Sequence, residues 1–351
     1  MKKALALILA LCMVMALCAC GQSAAPAATE APAATEAPAA ADVHAADAPA
    51  ETDIAWPEAA VEFVIPAKPG GDTDLTSRGL AASLTETLGQ PVSVLNMAGG
   101  SGTVAINEIL SREADGYTAL YWHVDLLLGS LLDRFDKPWD EMFDIAAVPG
   151  GGSSTAIFVN SKSQWNTIEE LVEYVKAHPG EVSIATETGA STHMLIVDME
   201  NKGGLEFNIV SVGGGADRAA ALLGGDVDVN VSVYGSCASY VESGDMRCLA
   251  VLADEPVEGL DAPTLKDATG IDTVWTHFYI VAFPKGTDPA IVEKMGKAIE
   301  KDAYTDNYTS VLSNYFFKPD VKTGQDAMDF LAEQQAYFQT LVDQYNERYG
   351  A

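Results

Sequence analysis

Four loops in this sequence carry residue types that can grip an anion without reacting with it. The first, Pro66-Ala-Lys-Pro-Gly-Gly-Asp-Thr-Asp74, leaves an apolar run and enters a helical one. Gly70 and Gly71 let the backbone approach a ligand closely. The N–H groups just beyond them point out of a helix start, where the dipole favours negative charge. Lys68 adds a cation, and Asp72, Thr73 and Asp74 equally suit helix capping. The second loop, Thr186-Glu-Thr-Gly-Ala-Ser-Thr-His193, repeats the layout. Gly189 supplies a tight turn, Ala190, Ser191 and Thr192 open the helix, and His193 is a donor in its first turn. The third, Asn96-Met-Ala-Gly-Gly-Ser-Gly102, precedes another helix and is satisfied by turn chemistry alone. The fourth, Val212-Gly-Gly-Gly-Ala-Asp-Arg218, offers close approach at Gly213 and Gly214, and an Arg218 that supplies charge or faces solvent. Trp122-His123 ends a strand, where side chains of an α/β sheet face a cleft.

Other chemistry is poorly supported by the same residues. None of the loops has the spacing of a phosphate loop or a dinucleotide fingerprint, and none implies a cofactor. Ser191, His193 and an Asp have the residue types of a hydrolase triad. The nucleophile elbow is absent, however, and two residues that close at a helix start point in different directions. Asp72/Asp74 and Asp226/Asp228 are D-x-D pairs. Calcium needs roughly 6–8 oxygen ligands, and the acidic twelve-residue loop is missing. Binding without catalysis is the expectation, with no metal.

Loops of this kind need strands that end where they begin. Val61–Ile65 reads as a strand, and Leu75, Leu80, Leu84 and Leu88 as a helix face stopped by Gly89 and Pro91. A strand over 92–95, a helix over 103–113 and a strand over 117–122 follow. Thr167-Ile-Glu-Glu170 has capping-box form before a helix buried through Ile168, Leu171, Val172 and Val175. Strands at 182–186, 207–212, 227–233 and 248–253 alternate with helices near 191–201, 216–223 and 236–242. The end is helical over 288–303, 307–315 and 323–348, the last with Ala327, Leu331, Gln334, Phe338, Leu341 and Tyr345 on one stripe.

This alternation predicts an α/β fold of parallel-rich sheets with helices on both faces. Two apolar stretches, Ala156–Val159 and His277–Ala282, are suited to cross between two lobes, the first after a flexible approach at Gly150-Gly-Gly-Ser153. Lobe one is then 56–155 plus 276–351, lobe two is 156–275, and a ligand cleft lies between them.

Composition agrees with export and binding. The 351 residues carry 20 Lys plus Arg against 50 Asp plus Glu, a formal charge of −30 that excludes nucleic acid as a partner. At 48% hydrophobic residues the chain can bury a sizeable core. Met1-Lys2-Lys3, an apolar run over 4–19 and Leu17-Cys18-Ala19-Cys20-Gly21 form a secretory leader whose end resembles the bacterial lipobox. By that resemblance residues 1–19 are removed and Cys20 carries lipid; a plain signal peptide or an uncleaved anchor are the alternatives. Loss of Lys2 and Lys3 takes the formal charge from −30 to −32. Residues 20–55 then read as a lipidated Cys and a disordered Ala/Pro/Thr/Glu tether, with Ala-Thr-Glu-Ala-Pro-Ala occurring twice. At roughly 3.1 Å per residue it reaches at most about 100 Å. Cys237 and Cys248 are left in the folded part, as a disulfide or as two thiols.

The ordered motifs resemble one family. Pro66-x-x-Pro-Gly-Gly-x-x-Asp74 is similar to the first motif of the tripartite tricarboxylate transporter receptors, also called Bug or TctC-like proteins. The likeness continues through Leu88-Gly-Gln-Pro-Val92, the Asn96 turn, Asp115-Gly-Tyr-Thr118, His178-Pro-Gly180 and Gly189-Ala-Ser-Thr-His193. It ends with Leu223-Gly-Gly-Asp-Val-Asp228, Ser243-Gly-Asp-Met-Arg-Cys-Leu-Ala250 and Pro284-Lys-Gly-Thr-Asp-Pro289. The resemblance implies a two-lobe periplasmic-binding-protein-like fold of type II. The implied ligand is a small carboxylated solute: a di- or tricarboxylate, an amino acid or an aromatic acid. Its implied partners are the large and small membrane subunits of a transporter, with a lipid anchor in the cell membrane; a sensor subunit reporting to a membrane kinase is the alternative. By position, Gly70, Gly71, Asp72, Thr73 and Asp74 and then Gly189, Ala190, Ser191 and His193 are implied to hold the ligand carboxylate. The chain departs from the family pattern at Lys68 and Asp72, at Val210-Ser-Val-Gly-Gly214 and at Asp125, and the added acid favours a ligand with an amine as well.

Overall fold

The computed structural model describes residues 54–349. The leader, Cys20 and the tether as far as residue 53 lie outside the described residues. Two sheets organise the rest.

The six-stranded sheet begins with β1 (Val61–Ile65), α1 (Asp72–Leu88) and β2 (Val92–Asn96), then α2 (Thr103–Ser111) and β3 (Thr118–His123). β1 lies between β2 and β3 and is parallel to both. α1 ends where expected, because Gly89 adopts the left-handed conformation and returns its N–H to the Thr85 carbonyl. Its first turn differs from expectation. Leu75 stands in solvent, while Thr73, Thr76 and Ser77 are buried. The Thr76 and Ser77 hydroxyls donate back to the Asp72 and Asp74 carbonyls, which satisfies them inside.

Two short helices, α3 (Asp125–Leu131) and α4 (Trp139–Met142), lead into β4 (Phe143–Gly152). β4 corrects one expectation: Gly150–Gly152 is ordered strand, not a flexible approach. A Cβ on Gly151 would sit 1.9 Å from the His277 carbonyl, and one on Gly150 2.6 Å from that of Lys318. The glycines are there because neighbouring backbones pass too close for side chains.

β5 (Thr155–Asn160) opens the five-stranded sheet, followed by α5 (Ile168–Ala177), β6 (Ser183–Thr186), α6 (Ser191–Gly203), β7 (Asn208–Ser211) and α7 (Gly215–Gly224). β8 (Val229–Val233), α8 (Ala238–Glu242), β9 (Met246–Val251) and α9 (Leu265–Thr269) complete it. The capping box of α5 forms: Thr167 accepts the Glu170 N–H, and the Glu170 carboxylate accepts that of Asn166. The order is β7-β6-β8-β5-β9.

The chain then returns through β10 (His277–Pro284), α10 (Pro289–Asp302), α11 (Asp306–Ser313), β11 (Lys318–Thr323) and α12 (Gly324–Tyr349). The first sheet is thereby ordered β11-β4-β10-β3-β1-β2. The fold is the expected α/β class with two sheets, but the sheets are mixed rather than parallel-rich. Antiparallel pairs cause this: β10 with β3 and β4, β11 with β4, and β5 with β8 and β9. The crossings lie side by side, with the Ser153 and Thr276 hydroxyls 3.1 Å apart.

α12 joins the two halves. It packs on β4, β11 and α3 from one side and on α6 from the other. Phe338 stacks on Trp275 at 5.2 Å, and Asn201 donates to Gln344 at 2.8 Å. One apolar core therefore runs from Leu120 and Trp122 through Leu127 of α3 and Leu341 of α12 to Met194, Ile184 and Val229. Among the described residues no helix is long and apolar enough to cross a membrane. Cys237 and Cys248 are both free thiols.

Candidate functional site

Parallel strands send their C-terminal ends to one rim, and the loops that follow converge there. β1, β2 and β3 deliver the 66–71 turn, the 97–102 turn and Val124–Asp125, while β6, β7 and β8 deliver the 187–190 turn, the 212–214 turn and Tyr234–Ser236.

In the first loop the two acids do different work. Asp74 is buried and accepts the Gly70 N–H at 2.8 Å, Arg78 Nε at 2.9 Å and Asn96 Nδ2 at 2.9 Å. Burial alone would raise its carboxyl, but those hydrogen bonds and the Arg78 charge hold it below the usual carboxylate range. Asp74 thus braces the turn, with Gly70 in the left-handed conformation at φ +89°. Asp72 instead reaches β10: its Oδ2 accepts the Tyr279 hydroxyl at 2.8 Å and lies 3.5 Å from His277 Nε2. Neither residue caps α1, whose N-cap is Gly71.

The second loop is closed from behind by His193. Its Nδ1 accepts the Gly189 N–H at 3.1 Å, and its ring packs on Tyr345 and Tyr349 of α12. Burial lowers its pKa to about 4, so it is neutral at pH 7. In front, the Ser191 N–H donates to Asp125 Oδ1 at 3.0 Å. The start of α6 therefore already holds a carboxylate, one supplied by the opposite half of the molecule. Ser191 and His193 are not paired as nucleophile and base, because His193 Nδ1 is committed to Gly189. Asp228 likewise serves the fold, accepting the Ser183 N–H and hydroxyl at 2.9 and 2.6 Å.

Three further contacts link loops of the two sheets. Ser101 donates to Glu187 at 2.7 Å, Arg134 donates to the Gly189 carbonyl, and Lys68 pairs with Asp217 at 2.9 Å. The Lys68 and Asp217 side chains are 68% and 40% exposed, so that pair contributes under about 1 kcal/mol. The part-buried, charge-assisted bond from the Ser191 N–H to Asp125 is worth more, up to about 1.5–3 kcal/mol.

Beside these contacts lies a partly open cavity of about 120 Å³, with Asp72, Asp125, Glu187, Arg218, Ser232 and His277 among its lining residues. An outer groove of about 340 Å³ is contiguous with it, lined by Lys68, Gly71, Thr73, Trp122, His123, Gly213 and Gly214 among others. Arg218 is the decisive residue. It is 8% exposed, donates to the Gly213 carbonyl at 2.8 Å and the Ser232 hydroxyl at 3.4 Å, and leaves Nε without a partner. Burial lowers its pKa, while the charges of Glu187, Asp125 and Asp72 act the other way. Among the described residues it forms no ion pair. His277 beside it is neutral at pH 7, its pKa lowered to about 4 by burial and by His123.

A buried guanidinium thus borders a pocket lined by loops of both sheets. Residues 76–346 match the family described as Tripartite tricarboxylate transporter family receptor. The chain belongs to this family. Protein BugT of Bordetella pertussis is 28% identical, covering 82% of this chain and 89% of BugT. The UPF0065 protein in gbd 5'region of Cupriavidus necator is 31% identical over 82% of this chain and 88% of its own. Among solved structures, an R. palustris protein with adipate has TM-score 0.75 at 23% identity, covering 82% of this chain and 98% of that one. MatC from Rhodopseudomonas palustris with bound malate has TM-score 0.74 at 21% identity, covering 82% and 100%. These share the receptor's fold.

Of the residues singled out from sequence, the receptor brings Lys68, Gly71, Asp72, Thr73, Trp122, His123, Ala190, Ser191, Gly213 and Gly214 to the two cavities. Gly70, Asp74, Gly189 and His193 stand behind them and hold the loops in shape. Glu187, Ser232 and His277 lie outside the residues singled out from sequence, whereas Arg218 stands there as a supplier of charge or a solvent-facing residue, and Asp125 as added acid near the cleft. The signal for His277 is its position at the head of a crossing strand. For Arg218 it is the three glycines before it, which let the fourth loop fold over its side chain.

Proposed function

We propose that this receptor captures a small carboxylated solute in the inner cavity and delivers it to the large and small membrane subunits of a tripartite tricarboxylate-type transporter. The observation that carries the reading is Arg218, a buried cation with no carboxylate partner, aimed into a cavity beside the backbone N–H groups at the starts of α6 and α7. A ligand carboxylate meets that guanidinium in a water-poor site where charge-assisted bonds are strong. The adipate and malate bound in proteins of the same fold support the class of ligand. The lobes are 56–155 plus 276–351 and 156–275, hinged at the paired crossings Ser153 and Thr276. Residues 1–19 act as the leader, and Cys20 carries the lipid that holds the receptor outside the cell membrane on its 20–55 tether.

Titration calorimetry with malate, adipate, amino acids and aromatic acids tests the capture step. Saturable heat with at least one carboxylate is expected, and silence across the panel at millimolar ligand overturns the reading. Labelling of whole cells with a fatty-acid analogue tests the anchor: label lost in Cys20→Ala supports it, and label unchanged in that variant refutes it.

A further inference from the structure

We infer that the solute carries a protonated amine as well as one carboxylate, and is a small amino acid or related zwitterion rather than a di- or tricarboxylate. This rests on the receptor reading above. The argument is a charge count around the inner cavity. One guanidinium, Arg218, faces three carboxylates, those of Asp72, Asp125 and Glu187. His277 adds no charge at pH 7, since burial and the neighbouring His123 hold its pKa near 4. Lys68, at the mouth, is already paired with Asp217.

The three acids are served by neutral donors. Asp72 accepts the Tyr279 hydroxyl, Asp125 the Ser191 N–H and Glu187 the Ser101 hydroxyl. Each keeps acceptor capacity for a further donor, since an ionised carboxylate has about four lone-pair positions. A ligand carboxylate on Arg218 leaves a formal excess of three negative charges with no cation to face them. A second ligand carboxylate deepens that excess, and the site rejects it by repulsion. An ammonium group instead brings three donors and a positive charge to Asp72, Asp125 and Glu187.

The test is calorimetry on the purified receptor with matched probes: β-alanine, L-alanine and γ-aminobutyrate, then propionate, succinate, malate and adipate, then propylamine. At least one amino acid should bind about a hundredfold or more tighter than every carboxylate-only probe, a gap set by one well-placed charge pair. Glu187→Gln and Asp72→Asn should each shrink that preference about tenfold or more, as loss of one member of a buried charge pair does. The ratio between probes is the readout, so a general loss of fold is not mistaken for it. Binding of succinate, malate or adipate as tight as any amino acid overturns the zwitterion and leaves the carboxylate receptor standing. Propylamine binding as well as the amino acids, or no probe binding at all, overturns both.

Discussion

Arg218 and His193 show how burial turns the same kind of polar residue to opposite uses. Arg218 lines the cavity with no carboxylate hydrogen-bonded to it, so its charge is held for something that enters. Arg218→Met should lower affinity for the solute about a hundredfold or more, because a charge-assisted contact is lost. The ligand-free melting temperature should shift little, since relief of the Arg218 desolvation is offset by loss of the one cation that faces Asp72, Asp125 and Glu187. A large fall in the ligand-free melt would assign Arg218 to the fold instead. His193 and His277 are buried neutral, each with its pKa lowered to about 4. The unfolded chain protonates such groups near pH 6.5, the folded one not until about 4, so stability falls as pH drops through that window. Each contributes a slope of up to ~1.4 kcal/mol per pH unit. Glu200 and Asp302, whose carboxyls burial pushes up, gain protons in the folded state toward the acid end and partly offset the loss. Urea melts between pH 7 and 4 should therefore steepen in wild type and flatten in His193→Gln, whose amide oxygen can still accept the Gly189 N–H; equal slopes would refute the assignment. Such roles are illegible in sequence. His193 looked like a ligand donor, and only the Tyr345 and Tyr349 rings of a helix some 150 residues away reveal it as a brace.

At the scale of elements, local periodicity was legible and distant pairing was not. β1, α1, α5, α6 and α10 stand close to where apolar spacing, capping residues and stop signals put them. β4 and β11 were missed for a physical reason. β4 ends in three glycines that read as a loop, and β11, Lys318-Pro-Asp-Val-Lys-Thr323, carries the charges and proline of an edge strand. Both are strands because of a partner far away in sequence. The glycines separate the two kinds of constraint. Gly151→Ala drives a methyl against the His277 carbonyl, which is backbone and cannot swing aside, so about 1–3 kcal/mol of stability should be lost in urea unfolding. Gly214 lines both cavities at the N-cap of α7, and a Cβ there meets nothing within 4 Å. Gly214→Ala should cost the fold about 0.5–1 kcal/mol, the difference between Gly and Ala as an N-cap. It should weaken solute binding about tenfold, because the methyl stands where the ligand approaches the backbone. If Gly214→Ala binds like wild type, the fourth loop is not part of the site.

For the whole molecule, the formal charge of −30 sets how the solute arrives. The contacts that close the cleft are few, and the Lys68–Asp217 pair is exposed and weak, while α12 packs on both halves. The long-range field acts on the encounter before the solute reaches any of these contacts. An acidic surface repels a dianion, and salt relieves that repulsion by cutting the screening length from about 30 Å at 0.01 M to about 8 Å at 0.15 M. A zwitterion has no net charge, so the field gives it no net steering in either direction. Trp275 lines the inner cavity and Trp122 the outer groove, so intrinsic fluorescence can follow binding. Stopped-flow association of an amino acid probe should change less than about twofold across that salt range, while any dicarboxylate that binds should associate several-fold faster at the high end. A strong acceleration of the amino acid by salt would mean that it meets the receptor as an anion, and the pairing of its amine with Asp72, Asp125 and Glu187 would lose its kinetic support. A rate for both probes that ignores salt would place the repulsive charge away from the cleft mouth, and the acidity of the chain would then bear on solubility rather than on ligand choice.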